Sequence, residues 1–334
     1  MVVESPTTAT STRTLGDILN RNMNTPFNSE NIITHKINEN GFSTFLVGFD
    51  IDDKATPVYR LKPLIQKLCD VLQEFAFGFH EGESTENTKT YSKLIEAAQS
   101  IYKIDAFQKV KDIYDNNGSI DDDVDDKFLR RGEFGELILH LLLRDFHNTI
   151  PLLSKVYFKD SLGHAVHGFD AVHIEPNTKT LWLGESKLYT NGKAGLKALI
   201  TDIEEHFKSD YLNSEFMLIS KKLTQIDNIP DKDYWLDLIS KSKKLIDQLS
   251  AINIPLLCTY HCDLFSSHND ENNQMFVDEY IKEMRLLKQY FEDNNQHPLK
   301  TKLNIILILF PIQNKKELVK GLHNKLSLIQ QLGE

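Results

Sequence analysis

The chain has 334 residues, of which 40% are hydrophobic and 26% charged, and its formal net charge is −10. This composition is typical of a soluble globular protein with one large domain or two modest ones. The negative charge argues against strong non-specific binding of DNA by the whole surface, because such binding depends on neutralising phosphates. An acidic chain that acts on nucleic acid needs a local basic surface, a divalent cation or a partner protein.

Two sequence features predict a cytoplasmic protein. No apolar run reaches the roughly 20 residues that a membrane-spanning helix needs, and the N-terminus lacks the basic and apolar regions of a signal peptide. The three cysteines, Cys69, Cys258 and Cys262, are too few and too scattered for a disulfide framework. A reducing compartment follows from this pattern.

The sequence of the first 120 residues predicts a disordered start followed by a region with both strand and helices. Residues 1–14 are rich in Ser and Thr, which favours disorder. Residues 41–51 alternate like a strand, and residues 63–79 and 92–114 have the periodicity of helices.

An acidic run at residues 115–126, DNNGSIDDDVDD, interrupts these patterns. We interpret it as a solvated connector; a calcium loop is the alternative, although the bidentate Glu of such loops is missing. A boundary therefore falls near residue 120, between an α+β region at 15–120 and a second region at 121–334.

The second region predicts alternating helices and strands. The predicted helices are 128–146, 193–207, 231–250, 274–291 and 315–331, and the predicted strands are 154–159, 168–174, 180–189, 215–220, 254–260 and 303–310. This order is typical of an α/β fold with a mixed sheet covered by helices.

The stretch HGFDAVHIEPNTKTLWLGESKLY predicts two strands joined by a polar turn at residues 175–180. The first strand carries Asp170, and the second carries Glu185 and Lys187, which project from the same face because side chains alternate along a strand. These charges emerge from strands that are otherwise apolar, where unpaired charges are costly. A divalent cation would offset the repulsion between the two carboxylates, so this hairpin predicts a site for metal-assisted phosphodiester cleavage. The alternative is a solvated pair of charges at a strand edge.

The helix before the hairpin contains a polar stripe on an apolar background. Its members recur at helical spacing: Glu133, Glu136, His140 and Arg144. The stripe is either the solvent face of the helix or a functional face turned toward the hairpin. In the second case Glu136 adds a carboxylate, and Gly135 allows close packing against the sheet.

Other polar clusters suggest alternatives that carry less weight. A zinc site is one, formed by Cys258, His261, Cys262 and His268, but the spacing matches no common Cys/His pattern. Histidines 164, 167 and 173 flank Asp170, where a histidine-ligated site is an alternative, but we interpret them as loop and strand-surface residues. The paired lysines at 221–222, 243–244 and 315–316 are either scattered solvated residues or part of a DNA groove. The sequence has no Walker loop and no dinucleotide-binding fingerprint.

Taken together, the order Glu136, Asp170, Glu185-Ser186-Lys187 resembles the PD-(D/E)xK nuclease superfamily, which has the restriction-endonuclease-like fold. The resemblance covers residues 128–220 and departs from the pattern at Phe169, where the superfamily often has proline. It implies a nuclease-like domain at 121–334 with a C-terminal α/β elaboration. The helix that follows the hairpin often carries a basic or amide residue in this superfamily.

More narrowly, the segments RGEFGELILHLLL, GFDAVHI and LWLGESKLY resemble the nuclease-subunit family of the Hachiman anti-phage defence system. This resemblance implies a bacterial protein that degrades DNA and that a superfamily 2 DNA helicase restrains until abnormal DNA is met. Residues 15–120 are a candidate docking region for that helicase. The alternative is a non-catalytic nuclease-fold module that binds DNA or serves as a scaffold for the helicase.

The resemblance and the chemistry of the side chains predict a role for each motif residue. Asp170, Glu185 and the Ser186 carbonyl would bind Mg²⁺, with Mn²⁺ as a substitute, because hard cations prefer oxygen ligands. Lys187 would orient or help deprotonate the attacking water and offset negative charge in the transition state. Glu136 would act beside the metal or on a second one. Residues that could support the site or contact phosphates are Glu133, Lys193 and Lys197.

Overall fold

A computed structural model describes residues 26–79, 89–101, 112–113, 116, 118, 132–153, 168–226 and 229–333. The disorder predicted at residues 1–14, the strand predicted at 154–159, His164 and His167 lie outside these ranges, as does most of the connector predicted at 115–126. Among the described residues, no helix combines the length and apolar character needed to cross a bilayer.

The described chain forms a mixed α/β fold, as predicted. The strands are β1 Ile33–Glu39, β2 Phe42–Val47, β3 Phe49–Ile51, β4 Pro57–Tyr59, β5 Ile150–Leu153, β6 Ala171–Glu175, β7 Thr180–Tyr189, β8 Ile252–His261 and β9 Asn304–Ile312. The helices are α1 Leu61–Asp70, α2 Leu72–Phe77, α3 Thr90–Ile101, α4 Gly132–Phe146, α5 Gly192–His206, α6 Ser209–Gln225, α7 Lys232–Leu238, α8 Leu245–Ser250, α9 Leu264–Ser267, α10 Gln274–Asn294 and α11 Lys315–Gln331.

Seven of these strands form one sheet in the order β1-β2-β9-β8-β7-β6-β5, while β3 and β4 form a separate ribbon. The central strands β2, β9, β8 and β7 are parallel, whereas the pairs β1–β2, β7–β6 and β6–β5 are antiparallel. Helices flank this sheet, which is consistent with a restriction-endonuclease-like fold. Because β1 and β2 belong to the same sheet as β5–β9, the two regions predicted on either side of residue 120 share one architecture.

Each face of the sheet has its own apolar core. On β7, Leu181 and Leu183 pack into the core beneath α5, α6 and α10, whereas Trp182 and Leu188 pack into the core beneath α4 and α11. Side chains alternate along a strand, so odd-numbered residues of β7 face α5 and even-numbered residues face α4. This alternation determines which motif residues meet which helix.

Four of the predicted elements are wrong in type or extent. The strand predicted at 41–51 is divided between β2 and β3, which belong to different sheets, and the helix predicted at 63–79 is divided between α1 and α2. The strand predicted at residues 215–220 lies inside α6, where Leu212, Phe216, Ile219 and Leu223 are buried at helical spacing. The single helix predicted at 231–250 is two helices, α7 and α8, separated by a turn rich in Ser and Lys. In addition, the strand β1 was not predicted.

Candidate active site

The two hairpin strands separate at the point where the predicted site residues begin. Pairing between β6 and β7 ends at Ala171 and Gly184, whereas pairing between β7 and β8 continues to Tyr189. Asp170 therefore lies just before the first paired residue of β6, and Glu185 lies just after the last one on β7. The hairpin brings the two carboxylates to the same open end.

Asp170 reaches across this open end to the backbone of β7. Its Oδ2 atom accepts a hydrogen bond from Ser186 N at 2.8 Å and another from Ser186 Oγ at 2.8 Å. An N–H and C=O of one strand residue point to the same side of the strand. The Ser186 carbonyl therefore faces the same edge as Asp170, as the predicted set of metal ligands requires.

The other two motif residues project from the opposite face of β7, toward α5. Glu185 Oε1 lies 2.6 Å from His206 Nδ1, and Lys187 Nζ lies 2.5 Å from Asp202 Oδ2. Asp202 and His206 are one helical turn apart on α5. Each charged residue of the Glu-x-Lys motif thus has one partner on this helix.

Burial and neighbouring charge raise the pKa of Glu185 well above its ordinary value. The residue is 2% exposed, and after burial the largest causes of the raised pKa are the negative charges of Asp170 and Asp202. Lys187 opposes this shift, and Glu136 adds to it. Glu185 is therefore a buried acid among three other acids and one cation.

The pKa of Lys187 is also raised, but here burial and the neighbouring charges act in opposite directions. Burial lowers its pKa, but the carboxylates of Asp202, Asp170 and Glu185 outweigh burial and raise the pKa above its ordinary value. The ammonium form is therefore favoured. Lys187 is better suited to orienting a water or offsetting phosphate charge than to accepting a proton.

The donor set fits a hard divalent cation. Two carboxylates and a backbone carbonyl are oxygen ligands, and a cation near Glu185 would reverse the repulsion that raises its pKa. Within the described ranges, no three His, Cys, Asp or Glu side chains converge closely enough to hold a metal by themselves. A cation at this site would therefore need the Ser186 carbonyl and water as ligands besides Asp170 and Glu185.

Glu185→Gln is expected to stabilise the metal-free protein by about 1 kcal/mol, a typical gain on relaxing a strained functional site. The amide keeps the shape and removes a buried charge. Because the pKa of Glu185 is raised in the folded protein, the charged form opposes folding above the unfolded-state pKa of about 4.5. The advantage of the variant should therefore be absent below that pH and grow as pH rises. Urea unfolding in EDTA across the pH range measures it, and a variant less stable than wild type at pH 8 would contradict the electrostatics.

Helix α4 packs close to β7 through Gly135. A Cβ atom at this position would lie 3.1 Å from Ser186 Oγ and 3.5 Å from Ser186 Cβ. Glu136 follows and is 7% exposed, and Glu133 Oε2 has no hydrogen-bond partner among the described residues. The predicted close packing of Gly135 is confirmed, and it places α4 directly behind the residue that holds Asp170.

Gly135→Ala is expected to lower cleavage more than stability. The added methyl displaces Ser186 Oγ from Asp170, while alanine's helix propensity offsets the strain by up to about 1 kcal/mol. Gly132→Ala is the matched control, because none of the described residues comes within 4 Å of its Cβ position. Comparing cleavage rates and unfolding midpoints of the two variants tests this expectation; equal cleavage by both would show that the close packing has no part in the site.

The other two members of the polar stripe on α4, His140 and Arg144, bind Glu74 of α2, and His140 also meets His173 of β6 at 5.1 Å between ring centres. Glu74 accepts hydrogen bonds from Arg144 Nε at 2.6 Å and Nη2 at 3.1 Å, and its Oε1 lies 3.0 Å from His140 Nε2. His140 is 3% exposed and Arg144 is 2% exposed. The interpretation of this stripe as a solvent face is therefore wrong.

The two lysines predicted to contact phosphates do not join the cluster. Lys193 is exposed and its Nζ lies 5.7 Å from the ring centre of Tyr290 on α10. Lys197 is exposed and lies about 140° around α5 from Asp202, at 100° per residue. Sequence reasoning missed Asp202 and His206, although they continue the buried stripe of Leu199 at helical spacing.

The alternative zinc site does not form. The described partners of the proposed zinc ligands are all different: Cys258 Sγ donates to Gly192 O, Cys262 Sγ donates to Glu283, His261 pairs with Asp263, and His268 pairs with Glu279. His173 Nδ1 lies 2.9 Å from Thr149 Oγ1, and burial lowers its pKa well below the ordinary value. Phe169, at the position of the expected proline, is buried against His206 and Tyr211.

Comparison with known proteins agrees with the resemblance seen in the sequence. A family model described as HamA matches residues 22–326, which include α4, the hairpin and α5. No curated protein matches the chain. The chain therefore belongs to the HamA family of the Hachiman anti-phage defence system.

Proposed function

We propose that this chain is the DNA-cleaving effector of an anti-phage defence system, a Mg²⁺-dependent deoxyribonuclease held in check by the superfamily 2 helicase HamB. The observation that carries the proposal is the buried Glu185 with Asp170 beside it, at the open end of the hairpin. Membership of the HamA family supports the defence role. The choice of DNA as the substrate and of the helicase as the partner follows from the resemblance to the same family.

The ligands of the cation would be Asp170, Glu185 and the Ser186 carbonyl. When bound, Mg²⁺ would supply positive charge that polarises the scissile phosphate and lowers the pKa of a water. Ser186 N–H and Oγ–H hold Asp170 at the edge of β7. The Lys187 ammonium would orient the attacking water and offset the charge that develops on the phosphate.

The carboxylates also explain why an acidic chain would need help to bind its substrate. Without a cation, the cluster around Glu185 repels phosphate, because Asp170, Asp202 and Glu136 all add negative charge. A partner that binds DNA by itself could bring the strand to this edge. Restraint by a helicase is compatible with that requirement, because the same partner would control access.

One observation favours the alternative of a non-catalytic module. Lys187 is already paired with Asp202, which could hold it away from a substrate. However, Asp202 lies within the same charge cluster as Glu185, so this pair keeps the ammonium beside the proposed metal ligands. We therefore retain the nuclease as the first proposal and the scaffold as the second.

The test is cleavage of DNA by the purified chain, alone and with its helicase. With the helicase and Mg²⁺ present, we expect degradation of duplex or single-stranded DNA that stops in EDTA and is abolished by Asp170→Asn or Glu185→Ala. RNA of the same sequence serves as the comparison substrate. If the complete complex cleaves no DNA with Mg²⁺, or if both variants cleave like wild type, the nuclease proposal fails and the scaffold remains.

A further inference from the structure

Helix α5 is in register with the Glu-x-Lys motif. His206 contacts Glu185, and Asp202 contacts Lys187. Four residues of a helix rise about 6 Å, and two residues of a strand rise about 6.6 Å. One turn of α5 therefore matches one repeat of β7, and the two contacts form side by side without distorting either element.

The His206 ring is fixed by aromatic neighbours on two sides. It stacks on Tyr211 at 4.4 Å between ring centres and 11° between planes, and it meets the edge of Phe169 at 6.0 Å and 86°. Tyr211 belongs to α6, and Phe169 precedes Asp170. The orientation of the imidazole is therefore set by packing, which directs Nδ1 at Glu185.

We infer that His206 and Asp202 are positioning residues of the proposed nuclease: His206 orients the Glu185 carboxylate for the cation, and Asp202 orients the Lys187 ammonium. This inference rests on the proposed function. With Glu185 ionised, His206 Nδ1–H would donate to Oε1, and Oε2 would remain available as a ligand of the cation. Carboxylate ligands of metals are commonly held by such hydrogen bonds.

The hydrogen bond and the aromatic stack can be separated by two substitutions. His206→Phe keeps a ring on Tyr211 and removes the donor, whereas His206→Asn removes the ring and keeps an N–H group near the position of Nδ1. The measurement is Mn²⁺ binding by electron paramagnetic resonance on the full-length chain, together with its melting temperature. We expect His206→Phe to weaken Mn²⁺ binding by about 10–100-fold, and His206→Asn to bind Mn²⁺ more tightly than His206→Phe.

Asp202 is tested through Lys187 and the reaction rate. Asp202→Ala releases the ammonium, so we expect a lower kcat with little change in the KM for DNA, while Asp202→Asn keeps a hydrogen-bond acceptor and restores part of the rate. Glu204→Gln is the matched control, because Glu204 is exposed two residues further along α5. A purely structural role would instead lower the melting temperature of both Asp202 variants without separating kcat from KM.

Each outcome decides one of the two proposals. If wild type binds Mn²⁺ and His206→Phe binds it equally well, His206 does not position Glu185, and the inference fails while the nuclease stands. If His206→Asn loses as much Mn²⁺ affinity as His206→Phe, the ring and not the hydrogen bond matters, which also overturns the inference. If wild type binds no Mn²⁺, the metal site itself fails, and the positioning role fails with it.

Discussion

Lys187→Met is expected to reduce Mg²⁺-dependent DNA cleavage by about 10²–10⁴-fold, the range for losing a group that acts on the transition state. The methionine keeps the length of the side chain but cannot orient a water or offset phosphate charge. Mn²⁺ binding should persist in this variant, because the substitution removes a positive charge next to the ligands. The decisive measurement is single-turnover cleavage by the complex, compared with Mn²⁺ affinity in the same preparation.

The matched control for this prediction is Lys197→Met. Lys197 is a lysine of α5 that is exposed and faces away from the cluster. We expect this control to cleave at close to the wild-type rate. Equal rates for wild type and Lys187→Met would remove the motif lysine from the mechanism, and loss of Mn²⁺ binding in Lys187→Met would show that the substitution damages the site rather than the reaction.

Glu74→Gln is expected to destabilise the fold by about 3–5 kcal/mol, because it leaves a buried guanidinium without its counter-charge. Arg144 is 2% exposed, and its Nε and Nη2 atoms both donate hydrogen bonds to the Glu74 carboxylate. Arg144 also donates to Thr149 O at 2.7 Å, so the pair joins α2, α4 and the start of β5. Urea unfolding at pH 7 measures the loss.

The pH dependence gives a second test of this network. Burial raises the pKa of Glu74, but Arg144 and His140 outweigh burial and hold the pKa below its ordinary value. The stability that the carboxylate contributes is therefore present above an unfolded-state pKa of about 4.5 and is lost as pH falls through the lower folded value. The difference between wild type and Glu74→Gln should shrink in that acidic range.

An exposed ion pair is the control for Glu74. Lys93 Nζ lies 3.0 Å from Glu96 Oε2 on α3, where both side chains are solvated. Glu96→Gln should change stability by less than about 0.5 kcal/mol. If Glu74→Gln changes stability as little as the control does, this network does not stabilise the packing of α2 against α4.

The strongest local patterns in the sequence predicted their elements well. The strand predicted at residues 180–189 is β7, and the helix predicted at 315–331 is α11, because alternation in the first and helical periodicity in the second extend over the whole element. The segment 215–220 failed because four consecutive apolar residues fit a strand or a helix equally well, and Met217 is in fact 57% exposed. Strand β1 was missed because its two well-buried residues, Ile33 and Ile37, are separated by polar ones.

The site residues also divide into those that a local pattern predicts and those that depend on how distant elements pack. Glu185 and Lys187 could be predicted to share a face, since that follows from strand geometry alone. Asp202 and His206 depend on how α5 packs on β7, and their signal was only a pair of polar residues on an apolar helix face. Lys193 was predicted to contact phosphate because of its charge, but its ammonium lies near the ring of Tyr290. The partner of Arg144 is 70 residues away in the chain, beyond any local pattern.

The most direct measurement of the metal site is an anomalous difference map from crystals of the full-length chain soaked in Mn²⁺. The proposed function predicts a peak about 2 Å from carboxylate oxygens of both Asp170 and Glu185 and from the Ser186 carbonyl. It also predicts that the peak disappears in Glu185→Gln. A map with no peak at the open end of the hairpin at saturating Mn²⁺ would contradict a metal-dependent nuclease.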